Sequence, residues 1–145
     1  MDIVHLVKRT IESAGSRPPD PVDMQWACLH LSPAERELWA QLHTRDQRHS
    51  INVARRFSAL AGDPPTTAIA GALLHDIGKI DATSSILLRI MSTIVGPRIR
   101  IFRRLHEHEV RGRDLLLCIG SASATIETAA GEGVWGETLR RADHL

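Results

Sequence analysis

The stretch that decides the fold runs from Thr66 to Ile80 and reads TTAIAGALLHDIGKI. Residues 68–74 are apolar or small on nearly every side of a helix, which predicts a helix buried at the centre of the molecule. An ionisable pair, His75 and Asp76, ends this apolar run. Because burying an unpaired carboxylate costs several kcal/mol, Asp76 needs a cation beside it. A basic side chain or a metal ion would supply that charge.

Helical periodicity continues on both sides of this segment. A capping box with proline at the first helical position, Ser32-Pro33-Ala34-Glu35, predicts a helix that runs to about Thr44. An apolar stripe from Ile51 to Ala61 predicts another helix, which Gly62 and Asp63-Pro64 end. No stretch shows the polar and apolar alternation that is typical of strands. Further helices are expected at 3–11, at 66–74 with Thr66 or Thr67 as the cap, and near 84–95, 98–118, 121–130 and 134–144.

These segments predict an all-α fold, a single-domain helical bundle. The length of 145 residues fits one domain with a substantial core. We expect the domain to span 1–145, with its core at about 32–145. The first part, 1–31, is expected to hold an N-terminal helix and a proline-rich connection.

The composition argues against nucleic acid and membrane partners. The 18 Lys and Arg residues and 17 Asp and Glu residues give a formal net charge of +1, whereas domains that bind nucleic acid are usually strongly basic. Cys28 and Cys118 form no CxxC motif, so they predict neither a disulfide framework nor a zinc ribbon. The N-terminal residues lack the apolar core of a secretory signal, and no apolar stretch approaches the ~20 residues of a membrane span. We therefore expect a cytoplasmic protein.

Several of the eight histidines lie on apolar helix faces. His49 precedes Val53 by one turn and Phe57 by two, which places it on the face directed at the core. A histidine there is costly unless it is hydrogen-bonded or bound to a metal. With His75 and Asp76 it suits a divalent ion of intermediate softness, since imidazole and carboxylate are present and thiolate is not. A hydrogen-bonded core histidine, and an aspartate paired with a basic residue or a backbone amide, are the alternatives.

Three sequence motifs belong together. Residues 46–54 read DQRHSINVA, residues 72–80 read ALLHDIGKI and residues 139–143 read LRRAD. They resemble the first-histidine helix, the defining His-Asp doublet and the last-aspartate helix of the HD-domain superfamily of metal-dependent phosphohydrolases. The resemblance covers most of the chain and implies an HD-type helical bundle. The metal ligands that it implies are His49, His75, Asp76 and Asp143.

The same resemblance implies a catalytic role for three residues. Asp76 is expected to act in catalysis as well as to bind the ion. Lys79 is expected to neutralise charge that develops on a phosphate. Its alternative role is to complement the dipole at a helix C-terminus. The third residue is His108.

His106 and His108 do not form an HExxH zinc motif, because Val110 stands where the second histidine would be. On a helix, side chains two positions apart point roughly 200° apart, so at most one of them faces the site. Residues 108–116, HEVRGRDLL, resemble an element of the HD-GYP branch whose histidine can serve a second metal. We expect His108 to contact the phosphate or carry a proton. Since residues 125–132 contain neither the later histidines nor the GYP signature, one metal ion is expected, with a second through His108 as the alternative.

These features predict a metal-dependent phosphohydrolase that hydrolyses a phosphate monoester or diester through a metal-activated water. The expected substrate is a nucleotide-like small molecule, and no nucleic-acid polymer or membrane is expected as a partner. The expected cofactor is one divalent ion: Mn, Fe, Co, Ni, Zn or Mg. The alternative is a catalytically weak or inactive sensory or nucleotide-binding module on the same frame, because the second histidine cluster is missing.

Overall fold

The structure is a computed structural model that describes residues 17–80 and 111–145. These two ranges contain α-helices and one 3₁₀ turn and no strand, so the predicted all-α class is confirmed. The expected helices at 3–11 and 84–95, and the first part of the one at 98–118, lie outside the described residues. The helices are α1 (Pro21–His30), α2 (Pro33–Trp39), α3 (Thr44–Ala61), α4 (Thr66–Leu73), the 3₁₀ turn (Ile77–Lys79), α5 (Arg111–Cys118), α6 (Ser123–Ala129) and α7 (Gly136–His144).

Helix α1 was not predicted, because a proline-rich connection was expected in this part of the chain. The side chain of Asp20 caps the helix by accepting a hydrogen bond from the backbone N–H of Val22 at 2.9 Å. Pro21 occupies the first helical position, where a missing N–H has no cost. Asp20 and Pro21 therefore indicated the start of a helix, but this indication was missed because other prolines precede them.

Helix α2 begins at the predicted capping box. The Ser32 hydroxyl accepts from the Glu35 N–H at 3.2 Å, and the Glu35 carboxylate accepts from the Ser32 N–H at 2.9 Å. The other oxygen of this buried carboxylate accepts from the Ser121 hydroxyl at 3.0 Å. Glu35 thus joins the start of α2 to the turn before α6.

The expected extension of α2 to Thr44 is wrong, because the helix ends at Trp39. The Trp39 side chain is buried, and its indole N–H donates to the Ser50 hydroxyl on α3 at 3.0 Å. The side-chain amide of Gln47 donates to the carbonyl of Ala40 at 3.3 Å, which satisfies an acceptor at the end of α2. These contacts with α3 turn the chain before a further helical turn can form.

Helix α3 carries the first predicted ligand histidine and ends where the sequence indicates. Gly62 closes the helix with φ of 88°, a left-handed conformation that glycine adopts without strain. The core-facing side of α3 packs against α4 and α7. The buried members of that face are Asp46, Gln47, Ser50, Ile51, Val53, Ala54 and Phe57.

Helix α4 is the buried central helix that the apolar run predicts. Its residues 68–73 are all buried, and it packs closely against α6. The expected threonine cap is wrong, because Pro65 is the N-cap and no side chain caps the helix. Within the described residues, none of the helices is both long and apolar enough to cross a membrane.

Candidate metal centre

Three separate segments bring the predicted ligands together. His49 lies on α3, His75 and Asp76 lie directly after α4, and Asp143 lies in the last turn of α7. The α4 helix ends at Leu73, and the chain then turns into the short 3₁₀ segment. The His-Asp doublet therefore occupies a tight turn at the carboxyl end of the central helix.

The ligand atoms of His49, His75 and Asp143 all lie within 4.8 Å of one another. Oδ1 of Asp143 is 3.1 Å from Nε2 of His49 and 3.5 Å from Nε2 of His75. Oδ2 of Asp76 approaches the same two nitrogens, at 3.9 Å and 3.4 Å respectively. Two imidazoles and two carboxylates thus face one small region.

The environment of His75 fits a metal ligand. Its Nδ1 lies 2.7 Å from the carbonyl oxygen of Ala72, and because that oxygen only accepts, Nδ1 is the donor of this hydrogen bond. Its Nε2 is buried and has no hydrogen-bond partner among residues 17–80 and 111–145, although it faces both carboxylates. A buried acceptor without a donor is costly, and a cation among these atoms would satisfy it.

The four side chains of the centre differ in exposure. The side chain of His75 is 8% exposed and that of Asp76 is 21% exposed, whereas those of His49 and Asp143 are 41% and 40% exposed. Within the described residues, His75 and Asp76 are therefore the more buried members of the group, and His49 and Asp143 the more exposed ones. Catalytic metal sites keep an open position, whereas structural sites are enclosed by protein ligands.

Lys79 contacts the site through Asp76. Its Nζ donates to Oδ2 of Asp76 at 2.9 Å. Burial acts to raise the pKa of Asp76, but the hydrogen bond from Lys79 and the nearby positive charges bring the pKa below its ordinary value. The same hydrogen bond raises the pKa of Lys79. The carboxylate is therefore ionised and the lysine charged at neutral pH.

The structure thus brings together four of the predicted site residues and places Lys79 beside them, while their roles as ligands and catalysts remain predictions. His108 lies outside the described residues. Sequence reasoning missed the Ala72 carbonyl, which fixes the His75 ring. The signal for it was present in the spacing, because a residue three positions before a histidine at a helix end has an unpaired carbonyl.

The fold is all-α, and two histidines and two aspartates lie close together in it. These features define a helical protein with a candidate metal centre. The family model described as HD domain matches residues 47–132, more than half of the chain. The chain therefore belongs to the HD-domain family. The match includes His49, His75 and Asp76, whereas Asp143 lies beyond its end. Comparisons with curated proteins and with solved structures find no significant match.

Proposed function

We propose that this HD domain is a metal-dependent phosphohydrolase that acts on a phosphate monoester or diester of a nucleotide-like small molecule. The observation that carries the proposal is the group of His49, His75 and Asp143, whose ligand atoms lie within 4.8 Å of one another. Family membership supports it, because HD domains are commonly metal-dependent hydrolases. The near-zero net charge favours a small phosphate ester over a nucleic-acid polymer.

The chain's own residues would divide the work as follows. His49, His75, Asp76 and Asp143 hold one divalent ion, and the two carboxylates balance its charge. The ion supplies polarisation of a phosphoryl oxygen and activation of water for attack. Because His49 and Asp143 are the exposed ligands, the phosphate approaches from their side.

Lys79 would contact the substrate. Its side chain is 55% exposed and lies next to the ligand Asp76. An ammonium next to Asp76 would stabilise negative charge that develops on phosphoryl oxygens. This is the role that the sequence predicts for Lys79.

Hydrolysis of generic substrates tests the proposal. Purified protein is supplied with Mn²⁺ and assayed with p-nitrophenyl phosphate and bis(p-nitrophenyl) phosphate, and its metal content is measured by elemental analysis. We expect turnover by the wild type and a loss of at least about 100-fold in Asp76→Ala, because the variant lacks a ligand and its charge. Asp63→Ala is the matched control, since Asp63 is exposed in the loop after α3.

Two results would contradict the proposal. Equal activity in the wild type and Asp76→Ala would show that hydrolysis does not come from this site. Bound metal without turnover on any phosphate ester would favour the binding module instead. In that case a nucleotide would raise the melting temperature without being consumed.

A further inference from the structure

Lys79 brings a positive charge to the candidate metal centre. Its Nζ lies 2.9 Å from Oδ2 of Asp76. That oxygen also faces the two histidines, at 3.4 Å from Nε2 of His75 and 3.9 Å from Nε2 of His49. The ammonium and the histidine ligand atoms therefore approach the same carboxylate oxygen.

We propose that Lys79 is a positioning residue for metal binding, which pairs with Asp76 in the metal-free protein and releases that oxygen when a divalent ion binds. The inference rests on the proposed function, because it requires the ion to bind among His49, His75 and Asp143. A carboxylate oxygen that ligates such an ion lies ~2.0–2.2 Å from it. An ammonium in contact with that oxygen would be close to the ion, and the two positive charges repel.

Lys79 is the partner that can move. Its side chain is 55% exposed, whereas that of Asp76 is 21% exposed and sits in the turn after α4. Lysine has a flexible four-carbon stem, and its ammonium is readily hydrated. Ion pairs as exposed as this one contribute little to stability, so water or another anion can replace the carboxylate at little cost.

The release of Lys79 would also connect the two steps of the proposed function. While it pairs with Asp76, the ammonium is directed at a protein carboxylate. Once Asp76 has turned to the ion, the same ammonium is free to bind an oxygen of the phosphate. The metal would therefore bind before the phosphate, because Lys79 reaches the phosphate only after it has left Asp76.

A purely structural role would have a different result. Arg140 and Glu137 form an exposed pair of the same i, i+3 spacing on α7, at 3.0 Å. Pairs of this kind support a helical turn whether or not a metal binds nearby. If Lys79 did only this, its removal would lower stability slightly and leave the affinity for metal unchanged. Exchange with an ion predicts that removal strengthens metal binding.

The experiment is a Mn²⁺ titration in which free Mn²⁺ is followed by electron paramagnetic resonance. The wild type is compared with Lys79→Met, Lys79→Arg and Lys8→Met, and circular dichroism verifies that each variant is folded. Lys8 is the other lysine of the chain, so its replacement removes one lysine charge and leaves Lys79 in place. We expect Lys79→Met to lower the Kd by about twofold to fivefold, which is the range an exposed pair can contribute. Lys79→Arg, which keeps the charge, and Lys8→Met should both stay near the wild type.

An unchanged or higher Kd in Lys79→Met would overturn the inference while leaving the proposed function in place. An equal gain in Lys8→Met or Lys79→Arg would also overturn it, because the effect would then not come from the charge that faces Asp76. Absence of saturable Mn²⁺ binding in every protein, the wild type included, would overturn the proposed function and this inference together. Raising the salt concentration should reduce the gain, since exposed charges are screened.

Discussion

The two ring nitrogens of His75 have different surroundings, and this difference is the one expected of a histidine that binds a metal ion. Nδ1 donates to the Ala72 carbonyl at 2.7 Å, while Nε2 is buried near two carboxylates and finds no hydrogen-bond partner in the described part of the chain. A backbone contact of this kind fixes both the tautomer and the orientation of a ligand histidine. The site is therefore organised at the level of single atoms before an ion binds.

Asp143 is the predicted ligand that lies beyond the family match, so its role is the one to test first. Asp143→Asn should raise the Kd for Mn²⁺ by at least about 10-fold to 100-fold, since the amide keeps the shape but loses the charge. Isothermal titration calorimetry measures the change. Glu137→Gln, on the same helix and exposed, is the matched control and should bind like the wild type. Equal Kd values in the two variants would exclude Asp143 as a ligand.

Glu35 is a second residue whose contacts exceed what the sequence indicates. The sequence predicted the capping box. It did not predict the hydrogen bond from Ser121, because Ser121 lies far along the chain. Glu35→Ala should lower the free energy of unfolding by about 1–3 kcal/mol, because it removes a cap and leaves the Ser121 hydroxyl without its partner. Urea unfolding measures this loss. Glu35→Gln keeps the side-chain volume and one acceptor oxygen, so it should lose less. A loss equal to that of Glu35→Ala would show that the second acceptor oxygen or the charge of the carboxylate is required, not the side-chain volume.

At the scale of elements, α4 and α6 approach so closely that a side chain would not fit between them. A Cβ added to Gly71 would lie 2.6 Å from Cβ of Thr128 and 2.8 Å from the carbonyl oxygen of Thr125. Glycine is a poor helix former, so its presence in the middle of α4 reflects packing rather than propensity. This contact holds the central helix, and hence the turn that carries the His-Asp doublet, against the second half of the domain.

Replacing Gly71 with alanine should therefore be destabilising although alanine favours helix. We expect Gly71→Ala to lower the free energy of unfolding by about 1–3 kcal/mol, since the backbone of Thr125 cannot move aside without shifting α6. Thermal and urea unfolding give the value. Thr66→Ala, at the exposed start of the same helix, should change it by less than about 0.5 kcal/mol. Increased stability in Gly71→Ala would contradict the close packing.

Sequence reasoning predicted the elements unevenly, for physical reasons. The buried central helix and the glycine end of α3 follow from local patterns, and both were predicted correctly. The end of α2 at Trp39 depends on contacts with α3, which no local pattern contains. The N-cap of α4 is Pro65, which has no side-chain cap, so the expected threonine cap is not observed. Tertiary contacts override local preference at these boundaries.

At the scale of the whole molecule, the site depends on distant parts of the chain. His49 and Asp143 are separated by 94 positions and lie 3.1 Å apart. The family resemblance placed them in one site, whereas periodicity alone could not have paired them. A basic partner for Asp76 was one of the two expected alternatives, but the sequence did not identify it as Lys79, because side-chain pairing at a turn depends on the fold around it.

Because the ligands come from both ends of the domain, metal binding should stabilise the entire fold. A ligand at about 100 times its Kd adds about 2.7 kcal/mol to the free energy of unfolding. For a chain of this size, Mn²⁺ should then raise the melting temperature by about 5–10 °C. Differential scanning calorimetry measures the shift. Asp143→Asn should show little of it, and an equal shift in that variant would place the binding elsewhere.

The central claim is that His49, His75, Asp76 and Asp143 bind one divalent ion, and its most direct test is anomalous X-ray diffraction from crystals grown with Mn²⁺. We expect a single strong anomalous peak about 2.0–2.2 Å from Nε2 of both histidines and from the carboxylate of Asp143. The peak should also contact Asp76, with the Lys79 ammonium withdrawn from that carboxylate. A peak bound elsewhere, or no peak among these residues at saturating Mn²⁺, would contradict it.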